Sequence, residues 1–336
     1  MHSVVLKNDR GGDLMVSLKC ISSLIEKDKE ITIFLSEFNE SFRFLFKDIK
    51  VKKLKFDLNI YEKIKLFYFI LTNEIDEIYI LSPKSYYFYL PFIFRKIKFY
   101  AIVIDGEKRY RPALFLRKYL YKYEVVNRKN KVNKTPLEQM QLNLVSEAKL
   151  DKNFIYNLNF PSNINFIDNS IPKNFYFFQF KKNFFEEINW DLKKLDKFFS
   201  LLLSKVENIV FCSDIENTNY NKSFLQKYPY INFESNVPDI SNKKDKILYL
   251  HNVTGENLFY VVKLSKKVIC PHGLISWISK INQIPTVALF NFKITNKKDY
   301  LRQKISFSVW YPKKSFDFAF LNTDFEKALK KISTRI

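Results

Sequence analysis

The chain has 336 residues, 47% of them hydrophobic and 17% aromatic, and a formal net charge of +21. Such a composition excludes disorder as a description of the whole chain, and the length suits two domains rather than one small core. The charge is compatible with nucleic acid, an anionic membrane or an acidic ligand, but lysine is spread along the whole sequence as on an ordinary solvated surface.

In chain order, the apolar run Val4–Leu6 predicts a strand, and the periodicity of Leu14–Ile25 predicts a helix. Ile31–Leu35 follows as strand, Glu37–Phe46 as helix, Lys50–Phe56 as strand, Ile60–Leu71 as helix and Glu77–Leu81 as strand. Tyr86–Arg95 is expected to be helical and Phe99–Ile104 extended. A helix over Pro136–Leu150 would take Thr135 as its N-cap, with Glu138 completing a capping box. Residues 157–174 are rich in Asn, Ser and Pro and are expected to form the connection between domains 1–165 and 166–336. Beyond them the pattern restarts. Strands are predicted at Phe175–Phe180, Asn208–Cys212, Ile247–Leu250, Lys267–Cys270 and Thr286–Phe290. Helices are predicted at Leu192–Val206, Ser223–Lys227, Asn257–Leu264, Leu274–Ile281 and Glu326–Ile332. Strands alternating with helices indicate α/β architecture: two doubly wound, Rossmann-like halves with parallel sheets and a ligand at the carboxyl ends of the strands.

Cys20, Cys212 and Cys270 are isolated and lie in or beside apolar runs, which argues for buried thiols in a reducing cytoplasm rather than a disulfide framework or a zinc site. The N-terminus enters its first strand without the apolar core of a signal peptide, and no uncharged apolar run reaches ~18 residues. The aromatic segment Tyr86–Phe94 is half that length. It ends in Arg95-Lys96, which suits either a core helix with a basic end or a membrane surface. No Arg-rich block, zinc-finger spacing or RNP-type aromatic motif occurs, so no nucleic-acid partner is expected.

With only five glycines in the chain, their placement is informative. Gly11-Gly12-Asp13 is expected to turn from the first strand into the following helix, with Asp13 acting either as a helix cap or as a general base facing the cleft. The second such corner is Cys270-Pro271-His272-Gly273. There His272, Ser276 and the first-turn amides from Gly273 and Leu274 onward could meet a phosphate or sugar hydroxyl, although His272 could equally be a structural histidine. Lys181 and Lys182 follow the strand that opens the second domain and could offset a diphosphate, or simply lie in a solvated loop. Asp214 and Glu216 stand where a carboxylate can accept ribose hydroxyls. Arg10, Arg109 and Arg111 are candidates for acceptor binding, because arginine forks onto phosphate or carboxylate.

These pieces together resemble the heptosyltransferase-like glycosyltransferases of family 9 over nearly the full length. Val4-Val5-Leu6-Lys7-Asn8-Asp9-Arg10-Gly11-Gly12-Asp13-Leu14 looks like that family's first strand and G-D turn. Thr254-Gly255-Glu256-Asn257-Leu258, Val268-Ile269-Cys270-Pro271-His272-Gly273-Leu274-Ile275-Ser276 and Ile284-Pro285-Thr286-Val287-Ala288-Leu289-Phe290 look like its donor-side turns, helices and strands. The resemblance implies a GT-B fold of two Rossmann-like domains facing a central cleft. It further implies an inverting transfer from a nucleotide-diphosphate sugar to a cell-surface glycan or lipopolysaccharide-type acceptor, without cofactor or metal. Peripheral attachment to the inner face of the inner membrane is compatible with this reading, because a lipid-linked acceptor would be anchored there.

By the same resemblance, Asp13 corresponds to the catalytic base, Gly273 to the donor-loop glycine and Glu216 to the ribose-binding carboxylate. The chain departs from the family at Pro271, where Asp is usual, at Ser276, where His is usual, and at Ile188-Asn189, where a lysine generally precedes the tryptophan. Heptose as the donor sugar is therefore not implied. The rival expectations are a GT-B protein that binds nucleotide or glycan without turnover and, below it, a basic nucleic-acid binder.

Overall fold

The computed structural model describes residues 1–27, 30–105, 111–127, 135–147, 154–213, 219–234, 239–240, 246–291, 316–321 and 324–336. They divide into two compact units, the first spanning Met1–Phe160 and the second beginning at Pro161.

The first unit is built on β1 (His2–Lys7), β2 (Glu30–Leu35), β3 (Lys50–Lys53), β4 (Glu77–Ile80), β5 (Lys98–Asp105) and β6 (Lys122–Asn127). All pairings are parallel, in the order β3-β2-β1-β4-β5-β6. β1 and β4 are buried over their whole lengths, as their continuous apolar runs require in strands covered on both faces. Glu77, the charged residue in β4, is also buried. Its carboxylate accepts from Tyr79 Oη at 2.7 Å and Tyr100 Oη at 3.0 Å, beneath the stacked rings of those two tyrosines. Helix Ile60–Thr72 starts at Asn59, whose side chain accepts from the Glu62 amide at 2.9 Å, and it sends Leu66, Phe69 and Ile70 into this core.

The second unit holds β7 (Phe175–Gln179), β8 (Asn208–Cys212), β9 (Tyr230–Asn232), β10 (Asp239–Ile240), β11 (Ile247–His251), β12 (Lys267–Pro271), β13 (Thr286–Asn291) and β14 (Phe316–Leu321). Their order is β10-β9-β11-β8-β7-β12-β13-β14, parallel throughout except where β10 meets β9. Its core is largely aromatic. Phe178 of β7 meets Phe185, Phe198 and Phe199 at centroid distances of 5.6, 5.2 and 5.6 Å, and Trp190 packs on Phe185, Phe198 and Phe325.

The alternating α/β pattern expected from sequence is the pattern observed, with several corrections. Gly11 and Gly12 are not a turn: the helix runs Gly11–Lys27, and neither glycine has positive φ. Tyr86–Arg95 is not one helix but a 3₁₀ segment, Ser85–Tyr89, followed by the short helix Leu90–Ile93, with Pro91 at its start. The helix expected from Pro136 has Pro136, not Thr135, in the N-cap position, and runs Leu137–Val145. β6, β9, β10, β14 and the helices Arg111–Leu116 and Asn165–Ser170 lie outside the elements expected from sequence; β9 and β10 are only three and two residues long, too short for a periodic signal.

Phe178→Ala should lower the stability of the second unit by about 3–5 kcal/mol, because several rings lose a partner that the packed sheet cannot replace. Urea unfolding followed by aromatic fluorescence measures this, and a loss under about 1 kcal/mol would contradict the packing described.

Candidate active site

In an open α/β sheet, ligands collect outside the carboxyl ends of the strands at the point where the strand order reverses. The first sheet reverses between β1 and β4, where Leu6 stands opposite Ile80. The second reverses between β7 and β12, where Phe178 stands opposite Ile269. Each reversal carries a group of the residues singled out from sequence.

At the first reversal lies a cavity of about 550 Å³ whose lining includes Lys7, Asp9, Arg10, Asp13, Asp57 and Lys84. Three cations thus face three carboxylates, so the high net charge of the chain is not concentrated here. The loop after β1 is held on all sides. Asn39 Nδ2 donates to the Lys7 carbonyl at 3.2 Å, and Ser36 Oγ donates to the Asp9 carbonyl. Asn8 Nδ2 donates to the Lys55 carbonyl at 2.8 Å, while Asn8 Oδ1 accepts from Tyr87 Oη at 2.7 Å. Chain ends from β2, β3 and β4 therefore fix the positions of residues 8–10 before any ligand arrives.

Lys7 is almost wholly buried, and its Nζ lies 2.7 Å from Asp9 Oδ2. Burial raises the Asp9 carboxyl above the usual carboxylate range; the Lys7 charge opposes this and the nearby Asp13 charge adds to it. The other oxygen, Asp9 Oδ1, is buried without a hydrogen-bond partner among the described residues, and so is Oε1 of Gln141, another lining residue. Asp13 is exposed in the first turn of its helix, where a negative charge suits the N-terminal end of the helix dipole. Because the helix starts at Gly11, Asp13 does not occupy the capping position. Arg10 stands 6.0 Å from the Phe56 ring centroid, and Lys84 covers the same ring at 4.2 Å while donating to the Phe56 carbonyl.

At the second reversal, β12 ends at Pro271, His272 follows it, and Gly273 precedes helix Leu274–Ile281. Gly273 has φ 154° and ψ −145°, a region essentially reserved for glycine, and among the described residues no atom beyond its chain neighbours lies within 4 Å of where a Cβ would stand. Its backbone therefore borders open space. Ser276, by contrast, is fully buried: its Oγ donates to the Gly273 carbonyl at 2.7 Å and accepts from the Gly273 amide at 3.2 Å. Its hydroxyl shapes the helix start. His272 stacks on Phe290 with a centroid distance of 5.1 Å, and its amide donates to the Leu289 carbonyl at 3.0 Å. Burial, helped by the charge of Lys181, pushes the imidazole down to about 4, so it is neutral at physiological pH. Lys181 is the exposed residue just before helix Lys182–Glu187, and Lys182 is that helix's first residue.

Of the residues proposed from sequence, Arg10 and Asp13 meet in the first cavity, next to Gly12 in the first helical turn. Lys181, His272, Gly273 and Leu274 gather at the second reversal, with Ser276 beneath. Arg111 is exposed at the start of helix Arg111–Leu116 and is not among the cavity's lining residues. Arg109, Asp214 and Glu216 lie outside the described residues. Lys7, Asp9, Lys84 and Gln141 were not singled out, since single charged or amide residues scattered from position 7 to position 141 carry no local motif.

A histidine held neutral by burial binds fewer protons folded than unfolded between its two values. Stability should therefore fall as pH drops from about 6.5 toward 4, and His272→Gln should flatten that part of the profile. Thermal unfolding of both proteins across this window tests the expectation, and superimposable profiles would refute it.

Neither a protein-family model nor a curated protein matches the sequence. Solved structures do match the fold. ADP-heptose LPS heptosyltransferase II of E. coli superposes with a TM-score of 0.63 at 11% identity, over 99% of this chain and 98% of that one. E. coli heptosyltransferase WaaC with ADP gives 0.63 at 10% identity over all of both chains. A family 9 glycosyl transferase from Veillonella parvula gives 0.62 at 11% identity, over 100% of this chain and 89% of the other. Likeness at these identities is likeness of fold: the chain has the two-unit α/β fold of GT-B glycosyltransferases.

Proposed function

We propose that this protein is a family 9-like glycosyltransferase, moving a sugar from a nucleotide-diphosphate donor to a glycan or glycolipid acceptor such as a lipopolysaccharide precursor. The observation that carries the proposal is Asp13, an exposed carboxylate on the first turn after β1, lining a preformed cavity at the switch point of a GT-B fold. In this mechanism Asp13 takes the proton of an acceptor hydroxyl as that oxygen attacks the anomeric carbon. The bond to the nucleotide diphosphate breaks on the opposite side, which inverts the configuration. Asp9 Oδ1 and Gln141 Oε1, buried acceptors awaiting donors, suit a ligand rich in hydroxyls. Arg10 and Lys84 flank the same cavity.

The donor belongs to the second reversal. There the open space beside Gly273 would let a phosphate approach the backbone at the start of helix Leu274–Ile281, where helix-terminal amides favour an anion. Lys181, with Lys182 behind it, offsets the diphosphate charge, and neutral His272 donates a hydrogen bond without adding a further charge. Glu216 would take the ribose hydroxyls. No metal ion or cofactor takes part, so EDTA should leave transfer unchanged.

A nucleotide-sugar screen by thermal shift should find a stabilising donor, because ligand binding raises apparent stability by mass action. With that donor, Asp13→Asn should retain the wild-type melting temperature and donor affinity and lose about 10²–10⁴ in kcat. Near-normal turnover would remove Asp13 from the role. Donor binding without transfer or donor hydrolysis in the wild type would leave a binding protein rather than an enzyme. Gly273→Ala should weaken donor binding at least about tenfold, through backbone strain and a methyl group in the open space; unchanged calorimetric affinity would move the donor elsewhere.

A further inference from the structure

Helix Ile60–Thr72 is apolar on both faces. Leu66, Phe69 and Ile70 enter the core, yet Ile60, Tyr61, Ile64, Tyr68 and Leu71 are between 59% and 72% exposed. At 100° per residue these five fall within one continuous stripe about 100° wide, with Lys65 on its margin. Scattered surface hydrophobics need no explanation, but a whole exposed helix face does.

The stripe does not stand alone. Phe67 of the same helix meets Phe94 at a centroid distance of 5.1 Å, and Tyr86 Oη donates to the Lys63 carbonyl at 3.0 Å. Exposed Phe92 then meets Tyr119 at 5.4 Å. Beyond it lie Phe115, which is 75% exposed, and exposed Tyr121. Cations are interleaved with these rings: Arg95 over Phe92, Lys118 over Phe115 and Tyr119, Lys98 over Tyr121 and Arg117 over Tyr123. The stretches 84–104 and 111–123 contain eight lysines and arginines and no acidic residue.

From this we infer that helix Ile60–Thr72 together with the 89–96 and 115–123 segments is a docking surface for an anionic lipid bilayer. The apolar stripe enters the interface, the tyrosines lie at headgroup depth, and the surrounding cations meet lipid phosphates. A protein partner would have to match both the aromatic stripe and a belt of positive charge, whereas an anionic bilayer matches both without further design. Among the described residues no helix is long and apolar enough to cross a membrane, so attachment through this surface is peripheral. Phe56, Asp57, Lys84 and Ser85, which line the cavity of the first unit, stand within five residues of helix Ile60–Thr72 or of Tyr89, so the cavity and the docking surface share neighbouring loops.

Flotation of the full chain with vesicles tests the surface whether or not the protein transfers sugar. Vesicles of roughly one part phosphatidylglycerol to three parts phosphatidylethanolamine should carry the protein upward, and phosphatidylcholine vesicles should not. The triple variant Ile64→Ser, Tyr68→Ser, Leu71→Ser should partition at least about tenfold more weakly. Its melting temperature and nucleotide-sugar affinity should be unchanged, because the altered side chains are exposed and far from the second reversal in sequence. The quadruple variant Arg95→Gln, Lys96→Gln, Arg117→Gln, Lys118→Gln should lose most of the salt-sensitive part of binding. A wild type that stays in solution, or a triple variant that floats as well as the wild type, overturns the proposal. So does a sedimentation experiment in which the triple variant turns a dimer into a monomer while the wild type ignores vesicles, which would assign the face to a second copy.

Discussion

Parallel pairing is the constraint from which the rest of this molecule follows. Parallel strands cannot be joined by tight hairpins, so each connection must cross the sheet, and helices cover both faces. The strands then bury both sides, which is why Val4-Val5-Leu6 of β1 and Ile78-Tyr79-Ile80 of β4 run without polar alternation. Within each sheet every strand but β10 also points its carboxyl end to the same edge, and loops gather there. Where the strand order turns back, adjacent loops diverge and leave a crevice. Lys7, Asp9 and Asp13 come together at one such crevice, and His272, Gly273 and Lys181 at the other, because of topology rather than any attraction between those residues.

Polar groups in the first crevice are held by a shell that leaves them little freedom. The buried Lys7–Asp9 pair is costly to desolvate, and its retention is more readily explained by positioning than by stability. Removing either partner would leave an uncompensated charge beside Asp13. The orphan oxygens of Asp9 and Gln141 are the complementary observation, since buried acceptors rarely lack partners unless a ligand or water supplies them. At the second crevice the same economy appears differently. Ser276 closes the helix start from within, leaving the Gly273 backbone to border open space.

Aromatic residues serve two opposite purposes here. In the second unit they interlock, Phe178 and Trp190 each meeting several rings at about 5–6 Å, which orders a large core with few rotatable bonds. In the first unit many stand outside, on helix Ile60–Thr72 and beside the cations near Arg95 and Lys118. Composition alone does not separate these uses, because a phenylalanine contributes equally to both totals.

What sequence alone determined was the alternation of strands and helices and hence the two doubly wound halves. Long apolar runs such as Val4-Val5-Leu6 and Val268-Ile269-Cys270 report their burial directly. It also located Asp13 and Gly273, since glycines are scarce and three of the five, Gly11, Gly12 and Gly273, fall at the strand-to-helix corners beside the two reversals. Edge strands such as β6 escaped because one side faces solvent and the apolar pattern fades there. Tertiary structure alone decided that Gly11 and Gly12 are helical, that the Ser276 hydroxyl is buried, and that Arg111 lies away from the cavity that Lys7, Asp9 and Gln141 help to line. Those outcomes depend on contacts between residues far apart in the chain, and no local spacing encodes which distant side chain will arrive to complete a crevice.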